Sequence, residues 1–191
     1  MPRTARSIAD HEIYHVLNRG NGGAGVFHTE RDYVEFVRLL EDAKSSFPVQ
    51  LLGYCIMPNH FHLILRPEAA DALGYFMHWL MTTHVRRHHV RRNTAGHVWQ
   101  GRYKSFRIDG DAHFLMVLRY VERNPVRAGL AHSARAWRWS SHRERLGLER
   151  TTLVDPVPMD LPTPWGTYVD EPLHGGELRK IRRSIQRQTP Y

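Results

Sequence analysis

His60-Phe61-His62 is the first group in this chain whose residue types and spacing could do chemistry. In an extended strand alternate side chains share a face, so both imidazoles point one way and Phe61 the other. Leu63 and Leu65 fall on the Phe61 side, which makes that side the buried one. Two imidazoles held together on a rigid strand are natural ligands for a metal ion. They also fit a pair of surface histidines on a half-exposed sheet, because in a chain with 14 histidines an H-x-H arises readily by chance. Tyr120 and Asn124 form a second group. Their i, i+4 spacing puts them on one helix face, at the edge of an apolar stripe and one residue before Val121. From there the tyrosine can reach a neighbouring cleft or leave its hydroxyl in solvent. Asn124 shares that face or, preceding Pro125, ends the helix.

Charge points to a polyanionic partner. Lys and Arg outnumber Asp and Glu by 27 to 19, for a net charge of +8 over 191 residues. Arginine dominates, and its planar fork matches phosphate where lysine offers a point charge. Neutralising phosphates also releases condensed counterions. Arg86, Arg87, Arg91 and Arg92 stud the later turns of one helix. Arg102 and Lys104 interleave with aromatics in Trp99 to Lys104, a pattern that suits base stacking beside phosphate contacts and suits core packing equally. Arg3, Arg6 and Arg19 can grip a nucleic-acid backbone or be solvated. The loop Arg19-Gly20-Asn21-Gly22-Gly23 lacks the Gly-Lys-Ser/Thr ending of a phosphate-binding P-loop, so no nucleotide is assigned to it. The single cysteine, Cys55, excludes an internal disulfide and reads as core. No segment reaches the roughly 20 apolar residues that span a bilayer, and the N-terminus lacks a secretory signal. A cytoplasmic location without membrane attachment is expected.

The elements that must position these residues are legible. Residues 11–18 are β-branched and aromatic and predict a strand. Thr29 with Asp32 predicts a capped helix, and Tyr33, Phe36, Val37 and Leu40 recur at i, i+3, i+4, i+7. Val49 to Met57 and His60 to Arg66 predict two strands joined by the turn Pro58-Asn59. A long helix follows with the stripe Leu73, Phe76, Met77, Leu80 and His84. Ser105 to Ile108 predicts a short strand, and Asp109 or Asp111 is expected to cap a helix running to about Arg123. Its buried stripe is Phe114, Val117, Leu118 and Val121. This order predicts an α+β fold with a ferredoxin-like, RRM-like antiparallel sheet, helices on one face, and a further C-terminal helix carrying Tyr120. Residues 1–131 are expected to form the catalytic domain. Residues 132–191 form an extension: Trp137, Trp139 and Ser140-Ser141 pack back on the domain, a proline-rich connector covers 151–172, and a basic helix covers 176–187.

Taken together, these motifs resemble the REP-associated tyrosine transposases, a group of the IS200-like single-tyrosine HUH transposases. The resemblance runs from about Met1 to Ser141. It rests on Tyr14-His15-Val16 with Asn18-Arg19-Gly20-Asn21, Met57-Pro58-Asn59-His60-Phe61-His62, and Gly101-Arg102-Tyr103-Lys104. Tyr120 to Leu130 and Trp139-Ser140-Ser141 complete it. It implies that His60 and His62 are metal ligands, that Tyr120 is the nucleophile, and that Asn124, one helical turn later, is the third ligand. Insertion-sequence relatives often carry Gln at that position. The implied cofactor is a divalent metal ion, Mg²⁺ or Mn²⁺, with Mn²⁺ the better match to nitrogen ligands. The implied partner is single-stranded or hairpin DNA of REP-like palindromes, and Arg3, Arg6, Arg19, Arg86, Arg87, Arg102, Lys104 and Arg127 are the basic residues assigned to it. A monomer is expected. The implied reaction is metal-dependent cleavage and strand transfer through a 5′-phosphotyrosine.

Two other readings stay in view. One is a hairpin-DNA-binding regulator that keeps the fold but cuts poorly. The other is an RNA-binding RRM-like module; the aromatic-rich Lys/Arg-Gly-Phe/Tyr run of those modules is missing, and H-x-H with a downstream tyrosine has no role there.

Overall fold

The computed structural model describes residues 8–149, 153–179 and 181. Arg3, Arg6 and most of the basic stretch at 176–187 lie outside them. The elements in chain order are β1 (Ile13–Arg19), α1 (Glu30–Ser46), β2 (Val49–Met57), β3 (His60–Pro67), α2 (Ala72–Arg92), β4 (Lys104–Ile108), α3 (Asp111–Arg127), α4 (Ser141–Arg145) and α5 (Trp165–Asp170). The strands form one sheet in the order β2-β3-β1-β4, and every neighbouring pair is antiparallel. This is the ferredoxin-like arrangement that the element order predicts.

Strand alternation divides the interior into two cores. Tyr14, Val16, Ile56, Phe61, Leu63 and Leu65 face α1 and α2, where Phe36, Leu39, Leu40, Phe76, Met77 and Leu80 complete the first core. The alternate residues Cys55, Met57 and Ile64 face α3 and pack against Phe114, Val117, Leu118 and Val121. The helix that carries Tyr120 therefore covers the sheet face opposite α1 and α2. Its position also bears on the RNA-binding reading. An RRM-like sheet offers an open face to stacked bases, and here that face is the floor of a packed core.

The close approach of α3 has a local cause. A register shift between Leu51 and Gly53 marks a β-bulge in β2. A Cβ at Gly53 would lie 2.8 Å from Leu118 Cδ1, so the glycine is the space into which that leucine packs. The helix itself departs from expectation at both ends. Neither Asp109 nor Asp111 caps it: the cap position is Gly110 at φ 73°, a conformation that favours glycine. At the far end the helix runs past Arg123 to Arg127 with Pro125 inside its last turn. The Ala128 N–H donates to the Asn124 carbonyl and the Leu130 N–H to the Pro125 carbonyl, so only the one bond that needed a proline N–H is lost. Asn124 accordingly stays helical, one turn beyond Tyr120.

Trp137 and Trp139 pack back on the domain, whereas the stretch 151–172, expected as a proline-rich connector, contains α5 and buries Leu153, Trp165 and Val169. The Ile56 N–H donates to the Trp139 carbonyl at 2.8 Å, and Trp137 Nε1 donates to the Ile56 carbonyl at 3.0 Å. Asp155 closes the other end of β2, accepting from the Leu51 N–H and donating its own N–H to the Leu51 carbonyl. These contacts satisfy backbone groups on what would otherwise be an open sheet edge. Trp165, Val169, Leu173 and Ile181 join the second core beside α3. Among the described residues no helix is long and apolar enough to cross a membrane.

Candidate active site

Antiparallel pairing of β1 with β3 sets Leu17 opposite His62 and Arg19 opposite His60. His15, two residues before Leu17, is then the diagonal neighbour of His62 on the same face, within reach of a ring. His15 Nε2 lies 2.9 Å from His62 Nδ1, with the ring centres 5.1 Å and the planes 26° apart. The His60 and His62 rings are 5.0 Å apart and nearly perpendicular. Across the gap α3 places the Tyr120 ring edge-on to both His62, at 5.7 Å, and His15, at 6.3 Å. Tyr120 is 5% exposed, so its ring packs against these histidines rather than standing in solvent. The periodicity that put it at the edge of the apolar stripe is what aims it there.

Arg127, one turn beyond Asn124, connects the rest. Its guanidinium lies 5.6 Å from the centre of the Tyr120 ring and donates from Nη2 to Asn124 Oδ1 at 2.7 Å. Asn124 is fully buried, and its Nδ2 has no hydrogen-bond partner among the described residues.

The histidines are held neutral. Burial, with the positive charges of Arg19 and Arg127 second, lowers the His60 pKa to about 4. Burial lowers His15 to about 3, and burial, with His60, His15 and Arg127 nearby, drives His62 well below the usual histidine value. Unprotonated imidazole is the form that ligates a metal. For His60 the tautomer follows from its neighbour. Asn59 Nδ2 donates to the Gly23 carbonyl at 3.1 Å, so Asn59 Oδ1 is an acceptor for His60 Nδ1–H at 2.7 Å. The His60 lone pair is therefore on Nε2. Among the described residues no cluster of three or more His, Cys, Asp or Glu could hold a metal; His60 and His62 are adjacent neutral imidazoles of the kind that ligate divalent ions.

Buried neutral histidines make stability depend on pH with a definite sign. An unfolded imidazole takes up a proton near pH 6.5, whereas folded His15 and His84, the latter also lowered to about 3 by burial, do not. The unfolded state binds more protons below pH 6.5, so stability must fall as pH falls from there towards 3. Each of these two groups is expected to contribute about 1.4 kcal/mol per pH unit in the middle of that window. Denaturant unfolding at pH 7.5, 6 and 5 checks this; a midpoint that does not move would refute neutral burial.

The basic residues assigned to DNA separate into two sets. Arg19 and Arg127 are exposed and flank His60 electrostatically. Lys104 pairs with Leu17 and so shares the sheet face of the site. Arg102 is exposed beside β4. Arg86 and Arg87 are exposed on α2, which packs on the other face of the sheet, away from Tyr120. Their neighbours Arg91 and Arg92 are tied to the buried Asp32, which caps α1 by accepting from the His28 and Thr29 N–H groups. Of the interleaved aromatics, Trp99 is core, packed on Phe61 and His84. Cys55 is buried, and burial raises its thiol pKa well above the usual value; it is core as expected.

Two residues of consequence escaped the sequence reading. His15 lies in a quoted motif, but its contact with His62 needs the strand register. Glu122 continues the apolar stripe at i+4 from Leu118, and a glutamate on a buried stripe was the available signal. It is fully buried and its carboxylate accepts four hydrogen bonds. Ser141 Oγ and Arg145 Nε reach Oε1 at 2.7 and 2.8 Å; His142 Nδ1 and Trp165 Nε1 reach Oε2 at 2.8 and 2.9 Å.

A histidine pair presented by an antiparallel sheet to a helix-borne tyrosine agrees with the single-tyrosine transposase class that the motifs resemble. The chain belongs to the family described as Transposase IS200 like, whose model matches residues 9–124. A Haemophilus influenzae protein named as a REP-associated tyrosine transposase is 27% identical over 126 residues, 59% of this chain and 71% of that protein. The fold is shared with the solved structure of a REP-associated tyrosine transposase bound to a REP hairpin. That match has a TM-score of 0.64 at 14% identity and covers 91% of this chain and 99% of the other.

Proposed function

We propose that this transposase is a metal-dependent single-stranded DNA endonuclease and strand transferase that acts on hairpin-forming, REP-like sequences through a 5′-phosphotyrosine on Tyr120. The observation that carries the reading is the Tyr120 ring set 5.7 Å from that of His62, with His60 5.0 Å beyond. The similarity to a REP-associated transposase and the shared fold of one bound to a REP hairpin support the choice of substrate.

In this reading His60 and His62 would hold the cation, with the Asn124 amide oxygen, which accepts from Arg127, as the candidate third ligand. A bound divalent ion would supply Lewis-acid polarisation of the scissile phosphate. Tyr120 Oη attacks phosphorus in line as the bond to the 3′ oxygen breaks. The phenol gives up its proton and the 3′ oxygen gains one, leaving a 5′-phosphotyrosine and a free 3′-hydroxyl. One phosphodiester is exchanged for another, so the step can run backwards onto a different 3′ end without ATP. Arg127, exposed above the phenol ring, is placed to pair with a phosphate oxygen.

The test is denaturing electrophoresis of the protein with labelled hairpin DNA, in Mn²⁺, Mg²⁺ or chelator. A slow covalent band that needs the cation is expected. Tight hairpin binding with no band under any condition would overturn the enzyme reading in favour of a hairpin-binding regulator. Mn²⁺ calorimetry of His60→Ala with His62→Ala checks the ligands: heat equal to wild type would refute them.

A further inference from the structure

We propose that His15 is a positioning residue that sets the tautomer of His62 and so makes its Nε2 available to the metal. The inference rests on the metal-dependent reading above and extends it to a residue outside the ligand set.

His15 is fully buried on β1, and its Nε2 lies 2.9 Å from His62 Nδ1. A hydrogen bond between two imidazoles contains one hydrogen, so one ring donates and the other accepts. If His15 Nε2–H donates, neutral His62 must carry its own hydrogen on Nε2, and that nitrogen has no lone pair in the ring plane for a cation. If His62 Nδ1–H donates, the His62 lone pair is on Nε2, and His15 is the acceptor. Only the second arrangement ligates.

His60 is already in that arrangement, because Asn59 Oδ1 can only accept once its amide nitrogen is committed to the Gly23 carbonyl. In the proposed arrangement the two ligands have matching supports, an amide oxygen for His60 and an imidazole nitrogen for His62. The support for His62 comes from a different strand, and with the ring planes 26° apart the two nitrogens meet edge to edge, which orients the His62 ring. Partners of this kind orient metal-bound histidines, and their loss typically weakens metal binding about 10–100-fold.

The first experiment needs no variant. Ring ¹⁵N shifts of His62 in the metal-free wild type are expected to show Nδ1 protonated and Nε2 bare; the reverse pattern overturns the proposal. The second compares Mn²⁺ affinity by calorimetry. His15→Phe, which keeps a flat ring without the acceptor, is expected to bind about 10–100-fold more weakly. His15→Gln, which restores an acceptor oxygen, is expected to recover part of the loss. A folded His15→Phe protein that binds Mn²⁺ as tightly as wild type overturns the proposal. Failure of the metal reading looks different: wild type itself would give no heat that His60→Ala with His62→Ala removes, while the ¹⁵N pattern still decides the role of His15.

Discussion

Tyr120→Phe is expected to eliminate the covalent protein–DNA product entirely while leaving hairpin affinity within a few-fold of wild type. Only an oxygen is removed. The ring keeps its edge-on packing against His62 and His15 and its place beneath the Arg127 guanidinium. Tyr120→Ala would be a poorer probe, since truncating a buried aromatic costs about 3–5 kcal/mol and would disturb the whole cleft. The phenylalanine variant separates chemistry from binding. Adduct bands on denaturing gels and hairpin affinity by fluorescence anisotropy are the two measurements. Adduct formed by the variant would mean that another side chain is the nucleophile, and a large fall in affinity would mean that the hydroxyl serves binding.

Glu122→Ala is expected to be strongly destabilising, by about 3–5 kcal/mol. The carboxylate is fully buried and holds three donors from α4 and one from α5 against α3. Removing it leaves the Arg145 guanidinium, 8% exposed, without its ion-pair partner. For a chain of this size that is a fall in melting temperature on the order of 10 °C. The sign with pH is also fixed. Although burial raises it, the hydrogen bond from His142, the charge of Arg145 and the remaining donors outweigh burial and hold the Glu122 pKa below its ordinary 4.5. Its contribution is therefore whole above pH 4.5 and is lost as pH falls through the folded value. Thermal melts of Glu122→Ala and wild type at pH 7 check the magnitude. A loss under 1 kcal/mol would show that the cluster is not what fastens the C-terminal segment to the helix of Tyr120.

The separation of these two residues on one helix shows how the site is built. Tyr120 faces the histidines and Glu122 faces the segment after residue 131, two positions apart on α3. The same element presents chemistry on one side and is anchored on the other.

Sequence alone determined what short-range geometry encodes. Strand alternation put His60 and His62 on one face and Phe61, Leu63 and Leu65 on the other. Helical spacing put Tyr120 and Asn124 together, and the order of elements implied the sheet. Each of these depends on backbone periodicity over a few residues, and so survives without knowledge of any partner. The ends of α3 were not legible, because a glycine of positive φ replaced the expected aspartate cap and a last turn tolerated Pro125. Nor was the division of the basic residues, because exposure on α2 and exposure beside His60 look the same in one dimension. Only the tertiary structure decided that α3 covers the sheet opposite α1 and α2, that His15 meets His62 across 47 residues of chain, and that Glu122 gathers donors 19 to 43 residues away. Those contacts are selected by strand register and by the need to satisfy polar groups once they are buried, and both are properties of the assembled core.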